Sequence, residues 1–261
     1  DGSADYAHHI PVRVIARMLD LPEADGDQFR TWVHDLIDAS ATDPDAMRRA
    51  VEEMAAYFTQ KIAERRARPG DDLVSYLIAQ RIDGKPLDNE HILGSLRLLL
   101  IAGIDTTWSA IGSSLWHLGT HPGDRDWLVR EPSLMTTAIE EFLRAYAPVT
   151  MARKITSDCE VAGTPLKKNQ TALLCFPAAN RDPAVFPDPD TVRLDREENR
   201  HATFGLGIHR CIGSNLARME LRVALEEWLA RFPRFQLEDG ADVAWAPGQA
   251  RGPRRLPFIL G

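Results

Sequence analysis

One stretch of the chain restricts its fold more than any other. Asp88 is a suitable N-cap for a helix that meets no breaker before about Gly119. At 1.5 Å per residue such a helix is on the order of 45 Å long, more than the width of a small domain, so it must cross the whole molecule. Its middle, Leu98 to Ile104, is apolar on every face, the mark of a helix buried among other elements. The rest of the fold has to be built around it.

The flanking sequence supplies more helices. Val12 to Leu19 is short and amphipathic and stops before Pro22. Phe29, Val33, Leu36 and Ile37 mark a helix over Asp25 to Ser40, and Val51, Met54, Ala55, Phe58 and Ile62 mark another from Pro44 to about Arg66. Asp72 to Gln80, Asp124 to Arg130 and Leu134 to Tyr146 follow. After Pro148 the pattern changes. Met151 to Ile155, Cys159 to Ala162 and Gln170 to Phe176 are expected strands, with a turn at Gly163-Thr164, which predicts a small antiparallel sheet. Pro177 to Thr203 has no periodicity. Ordering so long a loop costs roughly 1 to 2 kcal/mol per residue in backbone entropy, so it is expected to have functional work. A last helix is predicted from about Ile212 to Phe232, completing a mainly α architecture with a small antiparallel β region.

Composition removes several functions. A net charge of −7 argues against nucleic acid as a partner, because phosphate backbones are drawn to basic surfaces. The longest apolar run spans seven residues, short of the roughly 18 that a membrane helix needs, so no membrane partner is expected. No basic and then apolar leader follows Asp1. Three widely spaced cysteines, Cys159, Cys175 and Cys211, fit neither a disulfide framework nor a zinc site, and a reducing cytoplasm is the expected setting.

The segment Phe204-Gly205-Leu206-Gly207-Ile208-His209-Arg210-Cys211-Ile212-Gly213 puts one of those cysteines at the mouth of the last helix. The positive end of a helix favours a thiolate, and a thiolate is a good metal ligand. Gly205, Gly207 and Gly213 lack Cβ atoms and would let a flat ligand approach the backbone. The same residues can also make a buried cysteine beside an ordinary turn. Asp105 and Thr106 interrupt the apolar middle of the long helix, where an acid and a hydroxyl are costly unless paired or hydrated. They either bond the backbone of their own helix or serve chemistry. Leu98, Ala102 and Asp105 share one helix face and can line a single cavity. Glu141-Phe142-Leu143-Arg144 sets an acid and a base one turn apart, by itself the pattern of a solvated surface pair.

The spacing F-x-x-G-x-x-x-C-x-G over residues 204–213 resembles the signature of the cytochrome P450 family. The Asp105-Thr106 and E-x-x-R motifs precede it in the family's order, and the whole chain resembles the C-terminal two-thirds of a soluble bacterial member. The resemblance implies a single haem-thiolate domain over residues 1–261, incomplete on its N-terminal side. It implies haem b (iron protoporphyrin IX) with Cys211 as axial thiolate and iron ligand, Arg153 and His209 toward the propionates, and Phe204, Ala102 and Gly213 around the cofactor. Thr106 would serve dioxygen activation and Asp105 would relay protons, while Leu98, Ile101, Val149 and Met151 would face a small hydrophobic substrate. Glu141 and Arg144 would form a buried structural ion pair behind the cysteine loop. The family often completes that network with an arginine; here Thr191 stands in its place, leaving Arg193 or Asn180 as the third partner.

The activity so implied is that of an oxidoreductase, a monooxygenase taking electrons from a ferredoxin or from a fused flavin or iron–sulfur reductase. Six arginines against four acids between Arg193 and Arg222 would suit an acidic electron carrier. A peroxide-driven peroxygenase and a haem-binding or structural remnant without turnover are the two alternatives.

Overall fold

Residues 1–39, 42–246 and 248–261 are described by the structure, a computed structural model. Its helices are α1 (His9–Met18), α2 (Gly26–Ile37), α3 (Pro44–Ala67), α4 (Leu73–Ala79), α5 (Asn89–Thr120), α6 (Pro122–Arg130), α7 (Met135–Ala145), α8 (Phe176–Ala179) and α9 (Ser214–Arg231). Aspartates start three of them. Asp43 accepts from the N–H groups of Asp45 and Ala46 ahead of Pro44, Asp72 from that of Ser75, and Asp88 from that of His91, each satisfying donors that a first turn leaves unpaired. The predicted helix over Asp25 to Ser40 is shorter, and Ser40 lies outside the described residues.

α5 is shared by two hydrophobic cores. Ile92, Leu96, Leu100 and Ile104 recur every fourth residue and pack with Ile15 of α1, Phe29 and Val33 of α2, and Met54 and Phe58 of α3. Further along, Ile111, Leu115 and Leu118 pack with Ile139 and Phe142 of α7 and with Leu221, Leu225 and Trp228 of α9. Burying each of these side chains stabilises the fold by about 1.5 to 3 kcal/mol. By length and mean hydropathy, 1.3 over its most apolar stretch, α5 would qualify as a membrane span; 61% of that window is buried inside the protein. The expectation that residues 98–104 are covered on every face is corrected: Leu98 is 66% exposed and Ala102 is exposed as well.

Among the described residues the strands form four antiparallel pairs rather than one small sheet. β1 (Arg81–Ile82) pairs with β2 (Lys85–Pro86), β3 (Met151–Lys154) with β6 (Thr171–Leu174), β4 (Cys159–Val161) with β5 (Thr164–Leu166), and β7 (Phe235–Leu237) with β8 (Phe258–Leu260). The turn read at Gly163-Thr164 falls one residue earlier. Ala162 and Gly163 take φ of 48° and 79°, the two left-handed positions of a tight hairpin, and Thr164 already belongs to β5. β7 and β8 lie some twenty residues apart in sequence, with no short turn to announce them.

Candidate active site

Two consecutive glutamates on α7 hold the cysteine loop from behind. Glu141 and Arg144, three residues apart and fully buried, make a bidentate pair with both contacts at 2.8 Å. Glu141 also accepts from Arg196 Nε at 3.0 Å, Asn199 Nδ2 at 3.0 Å and the Arg193 N–H at 2.8 Å. Arg144 donates onward to the carbonyls of Asn180, Pro189 and Thr191. The third side-chain ion is therefore Arg196, not Arg193 or Asn180, which contribute backbone groups to the pair. Burial by itself would raise the Glu141 carboxyl; its five donors outweigh burial and hold it below the usual carboxylate range. The work expected of the loop after Pro177 is to wrap this pair, with Asn180 bonded to Arg144 O, Thr203 Oγ1 and the Ala202 N–H.

Glu140 faces the other way. It takes both ends of Arg218 of α9 at 2.6 and 2.8 Å and His201 at 3.0 Å, and the Arg218 guanidinium lies 4.5 Å from the centre of the Phe204 ring. Burial opposes ionisation here too, yet the hydrogen bonds from Arg218 and His201 bring Glu140 down to about 2.

Between these anchors the loop turns outward. Gly205 and Gly207 have φ of 67° and 66°, values that favour glycine, and the Cys211 N–H closes the loop on Phe204 O at 2.8 Å. α9 starts at Ser214 with Gly213 as its N-cap, so Cys211 precedes the helix by three residues instead of sitting inside its first turn. The thiol is exposed, and a Cβ at Gly213 would stand 3.8 Å from its Sγ. Ile208 and Ile212 on the same loop are 98% and 92% exposed. His209 is exposed; Arg153 is half-buried, its guanidinium on the carbonyl of Ala152 at 2.9 Å. Val149, bridged to Ala250, and Met151 at the start of β3 are half-buried.

The stripe on α5 divides. Leu98 and Ala102 are open, Ile101 is half-buried, and Thr106 Oγ1 donates to Ala102 O at 2.8 Å, the local backbone bond that the sequence allows. Asp105 is 2% exposed and does not join Leu98 and Ala102 in one cavity. The C-terminal segment covers it, Arg254 Nη2 donating to Oδ1 at 2.6 Å. Burial pushes Asp105 up to about 6, with the Asp38 carboxylate adding to the rise and Arg254 opposing it.

Comparison with known proteins decides what this arrangement belongs to: the cytochrome P450 family model matches residues 28–244. The chain belongs to the cytochrome P450 family. It is 37% identical over 267 residues to the steroid C26-monooxygenase of Mycolicibacterium smegmatis, covering 100% of this chain and 67% of that protein. The vitamin D(3) 25-hydroxylase of Pseudonocardia autotrophica is also 37% identical, over 270 residues, with 100% and 66% covered. Among solved structures, the bacillaene polyketide synthase cytochrome P450 PksS of Bacillus subtilis superposes with a TM-score of 0.91 at 34% identity, over 98% of this chain and 67% of that one. The chain thus spans about two-thirds of the length of the P450 relatives it matches.

A P450 carries haem, and the residues present fit one. An exposed thiol, outward apolar side chains on its loop, a glycine against the sulfur and the small Ala102 on α5 suit a flat, largely apolar, metal-centred ligand. Sequence reasoning missed Arg196, Glu140, Arg218, His201, Asp38 and Arg254. Arg196 and Arg218 do not belong to the basic docking face that composition suggests; with both engaged internally and Glu220 buried, the exposed part of residues 193–222 keeps four arginines and three acids. Nothing in the local sequence of Arg254 points to Asp105, 149 residues away.

Proposed function

We propose that this chain is the haem-thiolate part of a monooxygenase that transfers one oxygen atom of dioxygen to a hydrophobic organic substrate. The reading is carried by the exposed Cys211 thiol on a loop of left-handed glycines, fastened to α7 through Glu140 and Glu141. Cys211 Sγ would hold the iron, Phe204 and Gly213 would pack beside it, Arg153 and His209 would take the propionates, and the small Ala102 would leave room for the cofactor and its oxygen ligand. Haem bound in this way supplies a redox-active iron whose thiolate ligand favours O–O cleavage.

The chain's own side chains do the rest. Leu98, Ile101, Val149 and Met151 exclude water and orient the substrate by apolar contact. Thr106 Oγ1, its proton committed to Ala102 O, offers its lone pairs as acceptors, and Asp105 Oδ2, buried without a partner, is an atom at which a proton can be held or released. Relatives named for oxidation of a steroid at C26 and of vitamin D(3) at position 25 support a large apolar substrate. Electrons come in this reading from a ferredoxin or a fused flavin or iron–sulfur reductase. The three exposed, unpaired cysteines support a reducing, cytoplasmic setting.

Absorption spectra of the reduced, CO-treated protein test the assignment. A red-shifted Soret band is expected in the parent chain and in Cys159→Ser and Cys175→Ser, and its loss in Cys211→Ser. A band surviving Cys211→Ser removes that residue as ligand. Turnover with peroxide that is indifferent to Thr106→Ala, without any reductant-driven turnover, would favour the peroxygenase instead.

A further inference from the structure

Where α5, α6 and α7 meet, ionisable and aromatic side chains form a cluster that the oxygenation chemistry leaves unused. His117, near the end of α5, is buried and engages both ring nitrogens: Nε2 lies 2.7 Å from Asp124 Oδ2 of α6, and Nδ1 lies 2.7 Å from the hydroxyl of Tyr146, the residue after α7. An ionised carboxylate can only accept, so Nε2 carries the proton and Nδ1 turns a lone pair to the Tyr146 O–H. Burial lowers the His117 pKa, which keeps the ring neutral, and pushes the Tyr146 phenol up to about 12, which keeps its proton in place at neutral pH. A phenol gives up an electron readily only when its proton leaves in the same event, because the protonated radical cation is a very strong acid. Tyr146 has a base in hydrogen-bond contact, and that base has a carboxylate behind it.

A second observation gives the electron a route. The Trp116 ring centre lies 5.8 Å from that of Tyr146 and 5.4 Å from that of Trp245, edge-on to both at 86° and 81°. Trp245 is 40% exposed. Three oxidisable rings therefore run in contact from a half-buried phenol to the surface.

We propose that Tyr146, Trp116 and Trp245 form a redox site with a second, one-electron activity, the oxidation of dissolved thiols at the Trp245 surface. Tyr146 loses one electron to a strong one-electron oxidant, its O–H bond breaks, and the proton crosses to His117 Nδ1, where Asp124 holds the imidazolium. An electron from Trp245, passed through Trp116, and the proton from His117 restore the phenol. Trp245 sheds its Nε1 proton to water, then takes a hydrogen atom from the thiol, which leaves as a thiyl radical. Asp124 is a positioning residue that fixes the His117 tautomer. That the oxidant arises inside this protein rests on the monooxygenase reading; the redox site does not.

Photochemically generated tris(bipyridine)ruthenium(III), with glutathione as the thiol, tests the site without haem chemistry. The parent carries Tyr57→Phe and Tyr76→Phe, which remove a phenol bonded to Asp25 and an exposed one. Electron paramagnetic resonance of samples frozen after illumination should show a tyrosyl radical that Tyr146→Phe abolishes. In Asp124→Asn the new amide can donate to Nε2 and turn the ring proton toward Tyr146, so the yield should fall roughly tenfold or more, and Asp124→Glu should restore it. Glutathione should shorten the life of the radical in the parent and leave it unchanged in Trp116→Phe and Trp245→Phe. A missing signal in the parent, or one that survives Tyr146→Phe, overturns the assignment. A yield indifferent to Asp124→Asn removes the proton transfer, and quenching indifferent to both tryptophan substitutions removes the route. The CO band of the same samples reports cysteine ligation separately, so its loss beside an intact radical would sink the monooxygenase reading and leave the Tyr146 site standing.

Discussion

Glu141 and Asp105 are both buried carboxylates bound to arginine, yet the structure treats them in opposite ways. Glu141 receives five donors on two oxygens, from Arg144, Arg196, Asn199 and the backbone of Arg193. Asp105 receives one contact from Arg254 on Oδ1, and its Oδ2 has no partner. Burial acts to neutralise each of them. With a full set of donors the charge is locked and the pKa falls; with one donor and a second carboxylate nearby burial prevails, and Asp105 rises to about 6. The number of donors, more than the presence of an arginine, separates a structural carboxylate from one that can handle protons.

The sharpest break of this comparison is Glu141→Gln. It strands Arg144 and Arg196 as buried cations, and a loss of about 3 to 5 kcal/mol in denaturant unfolding is expected. Arg196→Met should cost less, about 1 to 3 kcal/mol by the same measurement, because Glu141 keeps Arg144, Asn199 and the Arg193 N–H. Acid denaturation comes next in size. A depressed carboxylate contributes its full stability above the unfolded value of about 4.5 and loses it as pH falls through the folded value, about 2 for Glu140. Stability should therefore drop across that window, and less steeply in Glu140→Gln. Asp105→Asn should have the smallest effect and the opposite sign. The raised pKa means the ionised form is disfavoured above pH 6, so at pH 8 the substitution should be neutral or stabilising within about 1 kcal/mol, and at pH 4 it should change little. A loss at pH 8 as large as that of Glu141→Gln would erase the distinction between the two sites.

Local signals carried much of the fold. Asp88 caps the helix it precedes, and the helical spacing that includes Met54, Phe58 and Ile62 marks the buried face of α3, because caps and periodicity act within a few residues. The motif around Cys211 was legible for the same reason. The partner of Glu141 was not: Thr191, Arg193, Arg196 and Asn199 all lie within nine residues, and only the path of the loop chooses which of them sends a side chain inward. The even burial expected along Leu98 to Ile104 failed because periodicity reports how apolar a face is, not what lies against it.

By itself the sequence determined the helices other than the short α8, the span of α5 and the loop that presents Cys211, since each follows from propensity, spacing or backbone freedom over short distances. Tertiary structure alone decided that one half of the α5 stripe stays open at Leu98 and Ala102 while the other is closed over Asp105 by Arg254. It also decided that six arginines in one stretch divide between internal anchors and surface. Burial and the number of donors around a charge are set by which distant segments meet, and no short-range pattern encodes that meeting.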